Sequence, residues 1–243
     1  MASRNQRISV CLAAYNGSRY IAGQISSILP QMTDEDELII SDDGSTDETI
    51  AVVNRHADKR IKLIRNPIRL GVIKNFEKCM SLANNEFIFL ADQDDEWAPD
   101  RVEKILGIFD RRPETTLVLS NAVVIDGTGA VIKEHLFKFY SSTGIGFFRV
   151  LKNIVKNNYI GAMIAFRKKM IKNIIPVPRD VPMHDVWIGI LNDVYGRTYY
   201  LDEPLIRYRR HSGNTTSDRR ASLRQMAKWR YMLVKRLFSR LLR

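Results

Sequence analysis

Apolar runs of strand length alternate with segments of helical periodicity over the first half of the chain. The pattern predicts strands at Ile8–Ala13, Glu37–Ser41, Ile61–Arg65 and Phe87–Leu90, separated by helices at Arg19–Leu29, Ser45–His56 and Val72–Ala83. The second helix is expected to begin at a capping box, because Ser45 and Glu48 have the S-x-x-E spacing of that motif.

Strands that alternate with helices at this spacing indicate right-handed βαβ units and parallel strands. Ligands of such sheets bind at the carboxyl ends of the strands. Polar loops follow three of the predicted strands, at Ala14–Gly17, Asp42–Ser45 and Asp92–Asp95. We therefore expect an α/β protein with a mostly parallel central sheet flanked by helices, and these three loops on one edge of the sheet.

The second half of the chain alternates less regularly. The pattern predicts a turn at Asp126–Gly129, helices at Phe147–Lys156 and Met183–Tyr195, and strands at Leu117–Ile125, Tyr159–Phe166, Thr198–Leu201 and Leu205–Tyr208.

The segment Arg219–Arg243 has the pattern of an amphipathic helix. Arg230 interrupts its apolar face, which otherwise consists of Leu223, Met226, Ala227, Tyr231, Val234, Leu237, Phe238 and Leu241. Two interpretations remain open: a helix docked on the domain, or a helix lying in an anionic membrane surface, where each basic residue contributes on the order of 1 kcal/mol. We favour the membrane, because docking does not require so one-sided a charge.

An acidic cluster follows the fourth predicted strand. Asp92, Asp94 and Asp95 fall within four positions, next to Glu96 and Trp97. Carboxylates crowded at a strand end repel one another, and a bound divalent cation relieves the repulsion. Hard oxygen ligands suit Mg²⁺ or Mn²⁺ shared with a substrate phosphate. A solvated acidic turn is the alternative.

Three other polar residues have both a structural and a chemical interpretation. Asp42 suits a turn, and it also suits a hydrogen bond to a nucleotide base or ribose. Asp185 suits a helix start, and it also suits a general base that takes a proton from an acceptor hydroxyl. His211 suits a structural position after a strand, and it also suits a metal ligand.

The distribution of charge argues against a nucleic-acid partner. The chain has 243 residues, is 45% hydrophobic and has a net charge of +11. Nine of its 38 Lys and Arg residues lie after Asp218, and none of its 27 Asp and Glu residues does. The first 218 residues therefore carry 29 basic and 27 acidic side chains, whereas a nucleic-acid-binding domain is expected to carry its basic residues across the fold.

The remaining features favour a cytoplasmic protein. Cys11 and Cys79 fall in a predicted strand and a predicted helix without metal-ligand spacing, so we expect reduced core residues. The polar segment Met1–Arg7 is unlike a secretory leader. No uncharged apolar run reaches the roughly 18 residues that cross a bilayer.

Three motifs occur in the order and spacing of a known family. The chain resembles family-two glycosyltransferases with the GT-A fold, and most closely the bacterial rhamnosyltransferase-like members of polysaccharide and O-antigen clusters. The resemblance covers about residues 7–215. It rests on ISVCLAAYNG at Ile8–Gly17, DDGSTD at Asp42–Asp47 and FLADQDDEW at Phe89–Trp97.

The resemblance implies an inverting, metal-dependent transfer from a nucleotide-diphosphate sugar. By position, Asp185 matches the catalytic base, and Asp94 with His211 would hold Mg²⁺ or Mn²⁺. The implied contacts to the nucleotide sugar are Ala13, Ala14, Tyr15, Asn16, Asp42, Gly71, Lys74, Asp92 and Gln93. The chain departs from the family pattern in having Ala14 where many members have proline and His184 where many have glutamate.

The resemblance also implies partners and an organisation. A GT-A domain would span residues 1–217, with a nucleotide-sugar half to about residue 125 and an acceptor half after it, and residues 218–243 would be a membrane-associating helix. The expected reaction moves rhamnose from dTDP-rhamnose to a lipid-linked saccharide, on the inner face of the bacterial plasma membrane.

Other activities remain as alternatives. A galactosyl-, glucosyl- or N-acetylhexosaminyltransferase would use a UDP-sugar. A nucleotidyltransferase is more remote, because the chain lacks the glycine-rich basic loop expected after its first strand, and a basic nucleic-acid-binding protein is equally remote.

Overall fold

The central strands are apolar along almost their whole length because other elements cover both faces of the sheet. A computed structural model describes residues 4–137, 147–211 and 222–242. Its strands are β1 (Ile8–Ala14), β2 (Glu37–Asp42), β3 (Ile61–Arg65), β4 (Phe87–Asp92), β5 (Glu96–Trp97), β6 (Leu117–Ile125), β7 (Val131–Lys133), β8 (Ile164–Arg167) and β9 (Thr198–Arg209).

The helices between the strands agree closely with the apolar periodicity. They are α1 (Ile21–Ile28), α2 (Thr49–Arg55), α3 (Val72–Leu82), α4 (Arg101–Arg111), α5 (Phe147–Val155), α6 (Ile171–Ile174), α7 (His184–Tyr195) and α8 (Leu223–Leu241). In α3, for example, the inward face is formed by Phe76, Cys79 and Met80, as their spacing predicts.

The sheet has the order β3-β2-β1-β4-β8-β6-β9-β5, with β7 paired to β6, among the described residues. The four strands β3, β2, β1 and β4 are parallel to one another, and β6 is parallel to β9. Strand β8 is antiparallel to both of its neighbours, and β5 is antiparallel to β9. The predicted α/β fold with a mostly parallel central part of the sheet is confirmed.

Three local predictions were wrong. Helix α2 begins at Thr49 rather than at a capping box, because the Ser45 hydroxyl accepts the N–H of Asn16 at 2.9 Å while Asp47 accepts the N–H of Thr49 at 3.1 Å. The strand predicted at 159–166 is shorter in the structure. Strand β8 begins at Ile164, and a turn of 3₁₀ helix at Gly161–Met163 precedes it.

The third error concerns the end of the sheet. The two short strands predicted after α7 form the single strand β9, because an irregular register at Pro204 opposite Asn121 lets the pairing with β6 continue past the proline.

Two expectations from composition can also be compared with the structure. Cys11 and Cys79 are both buried and unbridged, and the Cys79 thiol lies 3.4 Å from the carbonyl of Leu12. Within the described part of the chain, no helix combines the length and the apolar character needed to cross a membrane.

Candidate active site

The loops that follow β1, β2 and β4 open into a cavity of about 1180 Å³. The strand register explains this, because Ala13 of β1 lies beside Ser41 of β2 and beside Asp92 of β4. The three strands therefore end at one level, and the predicted clustering of their loops is confirmed. The beginning of α7, the end of β9 and part of α8 complete the wall.

Gln93 fastens the first of these loops. Its side-chain amide accepts the N–H of Tyr15 at 2.8 Å and donates to the carbonyl of the same residue at 3.0 Å. A Cβ atom at Gly17 would lie 2.1 Å from Oε1 of Gln93, so this contact requires glycine. The guanidinium of Arg69 lies 3.8 Å from the centroid of the Tyr15 ring. The predicted contacts that line the cavity here are Ala13, Ala14, Tyr15 and Gln93.

Two neighbouring carboxylates at the end of β2 have different surroundings. Asp42 has no exposed surface, and its Oδ2 atom accepts two backbone N–H groups of the following turn at 3.2 and 3.0 Å. It does not line the cavity. Asp43 does, and it accepts the N–H groups of Leu70 and Gly71 at 2.7 and 2.8 Å. Asp42, which the motif predicts to contact the nucleotide, thus closes the turn, and Asp43 lines the cavity.

Three more of the residues predicted to contact the donor do not line the cavity. The Oδ1 atom of Asn16 accepts a backbone N–H of the loop after β2 at 2.9 Å. Gly71 donates its N–H to Asp43. The Nζ atom of Lys74 forms an ion pair with Glu77 at 2.6 Å. Asn16 and Gly71 thus stabilise loops beside the cavity, whereas Lys74 is paired within α3.

Carboxylates crowd at the end of β4, as the sequence predicts. Burial, together with the charges of Asp94 and Asp185, raises the pKa of Asp92 to about 8. Burial and the neighbouring Asp94 and Asp92 also raise the pKa of Asp95. Asp92 and Asp94 line the cavity, whereas Asp95 is buried behind them. A bound cation would favour the ionised forms of these crowded carboxyl groups.

The structure brings together the two residues predicted to hold a metal. The Nε2 atom of His211 lies 2.8 Å from Oδ2 of Asp94. No group of three or more His, Cys, Asp or Glu side chains that could hold a metal occurs in residues 4–137, 147–211 and 222–242. The pair fits a divalent cation that takes its remaining ligands from a substrate diphosphate and water, as Mg²⁺ commonly does.

Arg209 ties the end of β9 to the acidic loop. Its backbone N–H donates to Asp95 at 2.8 Å, its Nε donates to the carbonyl of Asp94 at 2.8 Å, and its Nη2 donates to Glu96 at 2.5 Å. His211 follows two residues later. The sequence alone assigns no role to Asp95 or Arg209.

The first turn of α7 presents Asp185 to the cavity. Its Oδ2 atom accepts the N–H of Gly161 at 3.1 Å, and its Oδ1 atom accepts the N–H of Val186 at 2.6 Å. Burial raises the pKa of Asp185 to about 7. A carboxylate with such a pKa is a stronger base than an exposed aspartate, and about half of the molecules carry it ionised at neutral pH.

Helix α8 forms one side of the cavity and is docked on the domain. Leu233 and Leu237 are buried. Arg230, which seemed to interrupt the apolar face, donates to the carbonyls of Ile154 and Val155 at the end of α5, at 3.3 and 2.7 Å. The α8 residues that line the cavity are Met226, Trp229, Arg230 and Leu233.

Docking leaves most of the predicted apolar face of α8 exposed. The exposed fractions are 65% for Tyr231, 47% for Val234 and 62% for Phe238. The docking face instead runs through arginines, since Arg236 forms an ion pair with Asp180 at 2.6 Å. One face of the tail thus docks on the domain, and another face remains apolar and exposed. Binding of that exposed face to a membrane stays a prediction.

Comparison with known proteins shows the family. The model of the family described as Glycosyl transferase family 2 matches residues 9–175. An uncharacterized protein of Mycobacterium tuberculosis is 28% identical over 210 residues, which cover 84% of this chain and 59% of that protein. The chain thus spans about three fifths of the length of this relative.

A second relative has a specific name. The UDP-Glc:alpha-D-GlcNAc-diphosphoundecaprenol beta-1,3-glucosyltransferase WfgD of Escherichia coli is 27% identical over 188 residues, which cover 76% of this chain and 70% of WfgD.

Solved structures share the fold. The structure of S. aureus TarS 1-349 in complex with UDP-GlcNAc matches with a TM-score of 0.73 at 20% identity, over 97% of this chain and 66% of that chain. The mannosyltransferase PcManGT from Pyrobaculum calidifontis, in complex with GDP-Man and Mn²⁺, matches with a TM-score of 0.59 at 20% identity, over 83% of this chain and 56% of that chain. The family match and these likenesses confirm the predicted GT-A fold.

Proposed function

The chain belongs to glycosyl transferase family 2, and on this premise we propose that it moves a sugar from a nucleotide-diphosphate donor to an acceptor hydroxyl, with inversion at the anomeric carbon. One observation carries the proposal: Asp185, Asp92 and Asp94 line the same cavity at the carboxyl edge of the parallel strands. This edge is where ligands of such sheets bind.

Asp185 is the proposed general base. Its raised pKa of about 7 suits the removal of a proton from a hydroxyl as that oxygen bonds to the anomeric carbon. The N–H group of Gly161 holds the carboxylate in place. Because the hydroxyl attacks opposite to the leaving diphosphate, one displacement inverts the anomeric centre and needs no covalent intermediate.

The nucleotide is assigned to the part of the cavity beside Tyr15. An aromatic ring and the guanidinium of Arg69 provide a flat surface and a positive charge there. Asp43, rather than Asp42, is the carboxylate able to accept a hydrogen bond from a base or ribose, because it lines the cavity. Asp92 would face the ribose or the donor sugar.

Asp94 and His211 would hold Mg²⁺ or Mn²⁺. When bound, such a cation offsets the negative charge that grows on the diphosphate as the glycosidic bond breaks. The PcManGT structure contains Mn²⁺ with its nucleotide sugar, which supports this cofactor for a protein of the same fold.

The proposed donor and acceptor rest only on the similarity of the chain to other glycosyltransferases. The resemblance of the motifs to rhamnosyltransferase-like enzymes favours dTDP-rhamnose. The names of WfgD and of the TarS complex contain UDP-Glc and UDP-GlcNAc, so a UDP-sugar is the alternative donor. A lipid-linked saccharide acceptor is supported by the diphosphoundecaprenol in the name of WfgD.

The tail is proposed to hold the enzyme on an anionic membrane surface, on the inner face of the bacterial plasma membrane. The exposed apolar stripe of α8 consists of Leu223, Tyr231, Val234, Phe238 and Leu241, and its exposed basic neighbours are Arg224, Lys228 and Lys235. The boundary proposed between residues 217 and 218 lies outside the described residues. Since α8 lines the cavity, residues 218–243 would also complete the acceptor half.

The test is a screen of donors with a lipid-linked acceptor. Purified protein is incubated with Mn²⁺, an undecaprenyl-diphosphate-linked N-acetylglucosamine and, in turn, dTDP-rhamnose, UDP-glucose, UDP-galactose and their N-acetyl forms. The proposal expects release of nucleoside diphosphate and a glycosylated lipid with one of these donors. Release of pyrophosphate instead would indicate a nucleotidyltransferase.

A further inference from the structure

His184 is a buried histidine whose imidazole has no hydrogen-bond partner. Its exposed fraction is 4%, and neither Nδ1 nor Nε2 has a partner among the residues that the structure describes. Most buried polar atoms in proteins are hydrogen-bonded, and an unsatisfied one destabilises the folded protein. If His184 only filled space, the folded protein would be more stable with an apolar side chain at this position.

The imidazole lies at the wall of the active-site cavity. It stacks on the ring of Phe76, with 4.0 Å between the centroids and 20° between the planes. A Cβ atom at Gly161 would lie 2.8 Å from Nε2 of His184 and 3.8 Å from Cβ of Asp185. The absence of a side chain at Gly161 therefore leaves room beside both His184 and Asp185, and all four residues line the cavity.

The imidazole at this position is neutral over the working pH range. Burial lowers the pKa of His184 to about 3. A neutral imidazole has one N–H donor and one acceptor nitrogen. A sugar hydroxyl can pair with either nitrogen, because it both donates and accepts, and its pairing would satisfy an atom that the protein leaves without a partner.

We propose that the imidazole of His184 hydrogen-bonds a sugar hydroxyl in the cavity and thereby contributes to the selection of the sugar. This inference rests on the proposed glycosyltransferase function. The hydroxyl belongs either to the donor sugar or to the acceptor saccharide, and the experiment separates the two. Phe76 and Gly161 position the ring, the first by stacking and the second by leaving space.

The informative variant is His184→Phe. It keeps an aromatic ring against Phe76 and removes both nitrogens. We expect an unchanged or higher melting temperature, because two unsatisfied polar atoms leave the core, together with a fall of roughly 10- to 100-fold in kcat/KM, because a substrate hydroxyl loses its partner. His184→Gln, which keeps a donor and an acceptor, should restore part of the loss. His135→Phe is the control, since that half-exposed imidazole does not line the cavity.

The source of the hydroxyl follows from the substrate affected. If the hydroxyl belongs to the donor sugar, His184→Phe should weaken binding of the nucleotide sugar, measured by calorimetry. Binding of the free nucleoside diphosphate should be unchanged. If the hydroxyl belongs to the acceptor, His184→Phe should leave donor binding unchanged and raise the KM for the acceptor. Unchanged kinetics with both substrates, or a large fall in melting temperature with kcat/KM preserved, would overturn the proposal.

A measurement on the wild-type protein covers the case in which the variant does not fold. The chain has four histidines, so single variants assign their ring-nitrogen resonances by NMR. The proposal expects the His184 resonances to shift when the nucleotide sugar or the acceptor is added, and not when the nucleoside diphosphate is added alone. Resonances that stay fixed with both substrates contradict it. Absence of transfer by the wild type with every donor would refute the proposed function instead.

Discussion

The Nε2 atom of His211 lies 2.8 Å from Oδ2 of Asp94, although 117 positions separate the two residues in the chain. The contact joins the end of β9 to the loop after β4. It places an imidazole nitrogen and a carboxylate oxygen, both suitable ligands for a divalent cation, close to the crowded carboxyl groups of Asp92 and Asp95, whose pKa values are raised.

Removing either member of this pair should weaken cation binding. We expect Asp94→Ala to lower transfer activity at least roughly 100-fold, and His211→Ala roughly 10-fold, because fewer protein ligands hold the cation that offsets charge on the diphosphate. Titration of Mn²⁺ in the presence of UDP should show a raised Kd for both variants. His135→Ala is the control. Full activity of the wild type in EDTA would contradict the role of a cation.

Arg209 is predicted to position Asp94. Replacement by lysine removes the fork that contacts the carbonyl of Asp94 and the carboxylate of Glu96 at once. Arg207→Lys is a matched control, because Arg207 contacts the same Glu96 at 3.2 Å but, among the residues that the structure describes, forms no hydrogen bond to Asp94. We expect Arg209→Lys to raise the Kd for Mn²⁺ roughly 10-fold and Arg207→Lys to change it little. Equal effects of the two variants would contradict a positioning role for Arg209.

The dependence of the rate on pH should report the ionisation of Asp185. Its pKa is raised from the ordinary 3.8 to about 7 by burial, and only the ionised form can accept a proton. We expect kcat/KM to rise about tenfold per pH unit below pH 7 and to level off above it. His184 does not contribute to this limb, since its pKa is lowered to about 3.

The raised pKa of Asp185 also makes the stability of the folded protein depend on pH. The folded protein binds the proton of Asp185 more tightly than the unfolded chain, so the contribution of this group to stability is present below pH 4 and is lost as the pH rises through 7. As the pH rises over that range, the melting temperature of Asp185→Asn should therefore increase relative to that of the wild type. A difference that is independent of pH would contradict the raised pKa.

The exposed stripe of α8 should bind anionic vesicles. We expect the double variant Val234→Ser, Phe238→Ser to lower partitioning into phosphatidylglycerol vesicles by at least about tenfold, since it removes apolar surface that would enter the lipid. Added salt should weaken binding through the basic residues beside the stripe. The control is Val131→Ser, Ile132→Ser, which changes two exposed apolar residues of β7. Unchanged partitioning of the α8 variant would refute the membrane role.

The sequence predicts the parallel half of the fold well because apolar periodicity and loop position are local properties. The ends of β1, β2 and β4, and with them the level of Ala13 and Asp92, follow from the length of each apolar run. Helix α7 begins one residue after the predicted Met183 and ends at the predicted Tyr195, since a loop with Pro176, Pro178 and Pro182 precedes it and Gly196 follows it.

Predictions that depended on tertiary contacts were less accurate. The spacing of Ser45 and Glu48 suggested a capping box, but the Ser45 hydroxyl binds the loop after β1 instead. Which of Asp42 and Asp43 lines the cavity depends on which carboxylate closes the turn, and no local pattern determines this. The contact of Asp42 with the nucleotide stays a prediction.

The docking face of α8 also could not be read from its periodicity. The helix places two arginines in its docking face because Asp180 and the carbonyl groups at the end of α5 meet them there. Those partners lie more than 50 residues earlier in the chain, and the pattern within the helix does not report them.

The most direct test of the account is the rate of sugar transfer by Asp185→Asn. A fall of roughly 10²- to 10⁴-fold is expected, the usual contribution of a general base, with unchanged affinity for the nucleoside diphosphate. Asp193→Asn, which changes a buried carboxylate of the same helix that does not line the cavity, controls for the effect of the substitution on packing. Transfer by Asp185→Asn at nearly the wild-type rate would contradict the central claim that this carboxylate activates the acceptor.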